Sequence, residues 1–132
     1  MKKLISLTLL VLLTQTAYGA EGPGHLYDGL LATLPPNQEV AIDEITLPPG
    51  HVGRVHKHDA YVYVYVLEGA VDMQVEGGEV TRVSAGQVFT ETPADIHVMN
   101  NNASATEPAR FLAFMIKTAG VPAVLPAELK AP

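Results

Sequence analysis

The stretch Tyr61-Val-Tyr-Val-Tyr-Val66 constrains this chain more than any other feature. Aromatic and β-branched residues favour a pleated surface, and strict alternation splits them into two faces, valines on one and tyrosines on the other. Similar but weaker alternation runs through Glu39 to Leu47, Arg54 to His58, Ala70 to Val75, Val80 to Val83, Val88 to Thr92, Ile96 to Met99 and Arg110 to Lys117. Gly69 reads as a turn, and Gly77-Gly78 reads as a tight two-residue hairpin turn of the primed kind. About eight short strands with no long helical pattern predict an all-β barrel or sandwich. The pattern alone leaves a jelly roll and other small sandwiches open. Residues 20–37 read as a loose lead-in with a short helical turn around Tyr27 to Thr33. The main domain is expected over 38–118, and the proline-bearing 119–132 as a tail draped over the surface or disordered.

The first 19 residues are expected to belong to no domain. Lys2 and Lys3 precede an apolar run, Leu4 to Leu13, and Ala17-Tyr18-Gly19 suits a signal peptidase cutting after Gly19. The run is shorter than the roughly 20 residues that span a bilayer. The expected location is therefore the periplasm or the exterior, with no membrane attachment after cleavage. Without the two lysines the chain keeps 6 basic and 14 acidic side chains, a net charge of −8, which repels phosphate backbones and excludes nucleic acid as a natural partner. The absence of cysteine excludes disulfides, thiolate metal sites and a lipid anchor on this chain. A small exported domain without disulfides must rely on its core, helped by a metal or a partner subunit.

His56 and His58 are two apart in a strand-like segment, so both imidazoles can aim at one point while Lys57 faces away. They are half of a tetrahedral or octahedral site, and His97, at the start of another strand, is the candidate that closes it. A His-x-His pair alone is a weak motif; two surface histidines on an edge strand would give the same spacing. His25 and His51 lie in glycine-containing loop sequence and read as solvated. Asn102-Ala103-Ser104 matches a glycosylation acceptor but reads as a turn. A tyrosine stripe at Tyr61, Tyr63 and Tyr65 is costly to leave in water and predicts a covered sheet face or an interface.

The stretch from Gly50 through His56-Lys-His58 to Tyr65-Val-Leu-Glu-Gly69 resembles the first sequence motif of the cupin superfamily. Gly86-Gln-Val-Phe-Thr-Glu-Thr-Pro93, followed by His97 and Asn101, is similar to the second. The chain is similar in particular to small exported bacterial cupins, of quercetinase-like type, that carry a stretch like Asn102 to Ala109. The resemblance implies a double-stranded β-helix, a jelly-roll barrel whose lumen holds one divalent transition metal per chain (Fe, Mn, Ni, Cu or Zn). It also implies His56, His58 and His97 as ligands and a homodimer. Two positions depart from the pattern. Val62 stands where cupins place a glutamate ligand, and His97 follows Pro93 by four residues instead of five, with Asp95 in place of a glycine. Three histidines without that glutamate leave an open coordination sphere for water, substrate or dioxygen. Glu91 can restore a carboxylate as ligand or as general base, or it can be a solvent-facing strand residue. Tyr63 reaches the lumen only if the strand slips by one residue.

Two functions follow. One is a metal-dependent enzyme acting on a small molecule in the lumen, with dioxygenase-type oxidation as its concrete form. The other is a non-catalytic cupin that stores or senses a metal or small ligand. Paired lysines, not twin arginines, in the leader imply export unfolded. The metal is then acquired outside the cytoplasm, where intrinsic affinity favours copper, nickel and zinc over iron.

Overall fold

The computed structural model describes residues 36–129 in full and residues 25–30 by their backbone. The expected signal peptide, its cleavage point after Gly19 and the start of the lead-in lie outside the described residues. Those described form ten strands and no helix: β1 (His25–Leu30), β2 (Gln38–Leu47), β3 (His56–Lys57), β4 (Ala60–Glu68), β5 (Ala70–Val75), β6 (Thr81–Ser84), β7 (Val88–Glu91), β8 (Ile96–Asn102), β9 (Ala109–Thr118) and β10 (Leu125–Pro126). They build two antiparallel five-stranded sheets, ordered β1-β2-β9-β4-β7 and β10-β3-β8-β5-β6. The eight expected strands are all present. Each sheet has neighbours distant in sequence, so alternation alone could not have paired them.

The alternation in β4 works as expected. Val62, Val64 and Val66 are buried, while Tyr61, Tyr63 and Tyr65 are exposed on the other face. Facing them across the interior, Val71, Met73 and Val83 of the second sheet are almost wholly buried, with Phe111 and Met115 of β9 completing the wall. Burying a valine or methionine fully contributes about 1.5–3 kcal/mol, so this inter-sheet layer is the main force holding the sheets together.

Three local expectations are corrected. Residues Tyr27 to Leu30 are strand and not helical turn, because Tyr27 through Leu30 pair with Glu39 to Ile42 of β2. The β5–β6 connection is not a two-residue primed hairpin. Gly78 N–H donates to Val75 O, which makes Glu76 and Gly77 the central pair, and only Gly77 has positive φ (78°). That is the requirement of a type II turn. Pairing between β5 and β6 begins only at Met73↔Thr81, while β5 continues beside β8 through Val75↔His97 and Glu76 N–H to Ile96 O. The segment read as a surface tail returns as β10 beside β3, with Leu125 opposite Lys57 and Pro126 opposite His56. The glycosylation-like Asn102 is buried, its amide donating to the carbonyls of Leu47, Pro48 and Glu107 while its Oδ1 accepts from Ser104 N–H. It staples two loops together.

Candidate metal centre

The second sheet places two of the histidines by register. His56 on β3 stands directly opposite His97 on β8, and adjacent strands lie about 4.7–4.9 Å apart. Their ring centroids are 4.8 Å apart, as are those of His56 and His58. One ligand atom from each of the three rings lies within 4.8 Å of the others. His58 and His97 are buried and His56 is half-buried.

The ring tautomers are fixed by the backbone. His56 Nδ1–H donates to Arg54 O at 2.8 Å, and His58 Nδ1–H donates to Ala123 O at 2.6 Å. A carbonyl can only accept, so in a neutral ring each Nδ1 carries the proton and each Nε2 presents a bare lone pair. These two Nε2 atoms stand 3.1 Å apart. Two bonds of about 2.1 Å to a common ion put donor atoms roughly 3.0 Å apart at a right angle and roughly 3.4 Å apart at the tetrahedral angle. The observed separation fits a shared cation. Both ring nitrogens of His97 are buried without a hydrogen-bond partner, the second sign of a site shaped for an ion. Metal-binding histidines characteristically donate their remote N–H to a carbonyl, as His56 and His58 do.

Glu91 comes from the other sheet. It ends β7, directly opposite Val62 on β4, and is only 3% exposed. Its Oε2 stands 3.2 Å from His97 Nδ1 and 3.7 Å from His58 Nε2. The carboxylate missing at Val62 is thus supplied from the adjacent strand, on the same lumen face. Glu91 is not a solvent-facing strand residue. Tyr63 keeps its outward register, 44% exposed, and takes no part. Burial, reinforced by the negative charge of Asp95, pushes the Glu91 carboxyl up to about 7. Burial pushes His97 down to about 4, with the neighbouring His56 and His58 acting in the same direction. His58 is also lowered, by burial first. Burial therefore favours neutral rings, the form that ligates.

The shortened loop before His97 is closed by Asp95. Its carboxylate accepts from Thr92 N–H and Thr92 Oγ1, while its own N–H donates to Thr92 O. An aspartate serves where the family pattern has glycine because its side chain itself makes the turn.

The histidines and Glu91 line a cavity of about 400 Å³ whose other walls include Ile45, Val64, Met73, Phe111 and Met115. Wall groups not expected from the sequence include His51, read as a solvated loop residue, Asn100, and Ala123 and Val124 of the C-terminal segment. Neither Asn100 nor the Ala123 carbonyl carries a signal in composition or spacing. His51 did carry one, as a histidine beside the motif glycine.

A cupin-domain family model matches residues 43–115, more than half of the chain and the span that contains all four site residues. The chain belongs to the cupin family. No curated protein matches this cupin. Among solved structures it is similar to a conserved protein with a double-stranded β-helix domain from Klebsiella pneumoniae, at 18% identity and a TM-score of 0.57, over 86% of this chain and 90% of that one. It is also similar to a DMSP lyase from Ruegeria pomeroyi, at 20% identity and a TM-score of 0.57, over 65% of this chain and 42% of the lyase. A salicylate 1,2-dioxygenase from Pseudaminobacter salicylatoxidans matches at 21% identity and a TM-score of 0.52, over 58% of this cupin and 21% of the enzyme. The cupin spans less than half the length of either enzyme. The likenesses establish a shared barrel fold.

Proposed function

We propose that this cupin binds one divalent transition metal on His56, His58 and His97 and acts on a small molecule in the barrel lumen, with dioxygenase-type oxidation as the reaction class. The observation that carries the reading is the pair of bare Nε2 atoms 3.1 Å apart at the wall of a largely apolar cavity. A purely structural site is closed by its own ligands, whereas this one faces a space large enough for a substrate. The bound ion would supply a Lewis acid for substrate oxygen atoms and, if redox-active, a path for electrons. The protein's own residues do the rest. Backbone carbonyls hold two rings in the ligating tautomer, the valines of β4 exclude water, and Glu91 stands where it can complete the ligand set or take a proton from a bound substrate. At the level of fold, the match to a structure named as a dioxygenase is compatible with this chemistry. A binding or sensing cupin without turnover is the competing function. We further propose export by the N-terminal signal, with the metal then acquired outside the cytoplasm, and a homodimer through the tyrosine face of β4.

Elemental analysis of wild type and His58→Ala, with oxygen uptake measured over a panel of flavonols and diketones, tests the reading. One metal per chain in wild type, lost with turnover in His58→Ala, is the expected result. Metal without turnover on any of the panel assigns the protein to the binding class, and no metal in wild type removes the basis of both.

A further inference from the structure

The turn that follows β2 is tied down from several sides. Pro48 to His51 form a type II turn, with Pro49 and Gly50 central, Gly50 at φ +68° and His51 N–H donating to Pro48 O at 3.1 Å. Asn102 N–H donates to His51 O at 3.0 Å, the Asn102 side-chain amide holds Leu47 O and Pro48 O, and Gly50 N–H donates to Ser104 O at 2.8 Å. Both polar backbone atoms of His51 are therefore spent. Its ring is not. The ring makes no hydrogen bond or ion pair with any described residue, and neither of its nitrogens is closed off from water. His51 is half-buried and lines the cavity of the metal centre, whereas the next residue, Val52, is 72% exposed. The chain thus turns one side chain towards the lumen and the next towards solvent.

Most other polar groups of the wall are committed or shut in. His56 and His58 give their Nδ1–H to carbonyls, both nitrogens of His97 and the Asn100 Oδ1 are closed to water, and Asp43 has an interaction of its own. Among the described residues no lysine or arginine lines the cavity, so outside the metal centre the His51 ring is its basic side chain. A neutral imidazole carries one N–H donor and one bare acceptor, and can pair with a hydroxyl in either sense. Set on a rigid turn, it gives up little freedom on meeting a ligand. Ile45, Val64, Met73 and Phe111 on the same wall suit an apolar frame.

We propose that His51 is a specificity-determining residue that touches the substrate, and that the site takes a small molecule with an apolar frame that coordinates the ion through oxygen at one end and hydrogen-bonds the His51 ring through a hydroxyl elsewhere on that frame. The proposal rests on the metal-centre reading above and names the substrate class for it. A site that pairs with a hydroxyl discriminates against the analogue that lacks it, because its own polar group loses water and gains no partner.

The test uses the zinc-loaded protein, whose metal content is measured first. The probes are meta- and para-hydroxybenzohydroxamic acid and their methyl ethers, with affinities taken by calorimetry. One hydroxy isomer is expected to bind at least about tenfold tighter than its methyl ether. Carbethoxylation of His51 by diethyl pyrocarbonate, followed by peptide mass spectrometry, reads where the ring points. With that isomer at about ten times its Kd, the reaction at His51 should slow about tenfold. His51→Phe should keep zinc and the methyl-ether affinity while losing the hydroxyl preference; His51→Gln, which keeps a donor and an acceptor, should retain part of it. Carbethoxylation that is equally fast with and without the bound probe overturns the proposal, as does a preference that survives in His51→Phe. Zinc-loaded wild type that binds none of the probes, or binds them all equally, overturns it without any variant. Loss of zinc in both variants would place His51 in the support of the metal centre and overturns it too. Wild type that takes up no zinc overturns instead the metal-centre reading on which the proposal stands.

Discussion

Val62 and Glu91 face each other across β4 and β7, so moving a carboxylate between them shifts it by one strand spacing without leaving the lumen. Glu91→Val is expected to weaken metal binding on the order of ten- to a hundredfold, the range found when groups around a metal site are removed. Adding Val62→Glu to that variant should recover part of the loss, as read by chelator competition. Unchanged metal affinity in Glu91→Val would mean that Glu91 acts on substrate and not on the ion, and a double variant no better than a weakened single one would mean that a carboxylate at position 62 cannot take its place. The same carboxyl sets an acid profile for the metal-free protein. His97, at about 4 in place of 6.5, leaves the unfolded chain binding the proton first, so its effect is to lose stability as pH falls from 6.5 towards 4. Glu91, at about 7 in place of 4.5, has the opposite sign, since its carboxylate form is penalised as pH rises from 4.5 through 7. Over 4.5 to 6.5 the two offset each other. Metal-free Glu91→Gln should therefore lose roughly 1–3 kcal/mol on acidification through that window, measured by urea midpoints, where wild type changes little. A flat profile in the variant would remove His97 burial as the cause.

The short C-terminal element does work out of proportion to its two residues. After β9 the chain turns at Gly120, where φ is +75°, and returns past the cavity, which Ala123 and Val124 help to line, to pair as β10 with β3. Ala123 O there fixes the His58 tautomer, and Val124 adds to the cavity wall while remaining 57% exposed. Removing residues 121–132 is expected to leave the two sheets folded by circular dichroism but to lower metal affinity about tenfold or more, because His58 loses the carbonyl that holds its ring. Unchanged affinity would show that the ring needs no such support. The strand β8 teaches a related lesson. Its period of two puts His97 in the lumen, and the bulge at Val98 then adds Asn100, which no reading of alternation can foresee.

At the scale of the molecule, one face of the first sheet presents Tyr61, Tyr63, Tyr65 and Phe114 to solvent, with Tyr63 and Phe114 in edge-to-face contact at 6.3 Å. On the outward face of β4 and β9, Tyr61, Tyr63, Tyr65, Leu112, Phe114 and Ile116 form an uncharged patch bounded at one end by Arg110, which is ion-paired with Glu44 and Glu68, whereas the whole chain has a net charge of −6. Two like-charged copies can meet there without opposing charges, and face-to-face sheet packing at about 10 Å suits such a row. If the proposed dimer forms through this face, Tyr63→Lys is expected to convert it to monomer in light scattering while leaving metal content unchanged. A wild-type monomer at micromolar concentration would remove this face as the contact between copies.

Strand positions, the inward valines of β4 and the His56–His58 pair were legible in the sequence because each depends only on neighbours along the chain and on a period of two. His97 was legible as the candidate third ligand, and the family pattern strengthened it, though not its place opposite His56, which pairing alone supplies. Tertiary structure alone decided the rest. Glu91 belongs to the site because β7 lies beside β4, Asn100 because a bulge resets the face, and Ala123 because a segment read as a surface or disordered tail pairs with β3. In each case the deciding contact joins segments far apart in sequence, and local spacing holds no record of which strand lies next to which.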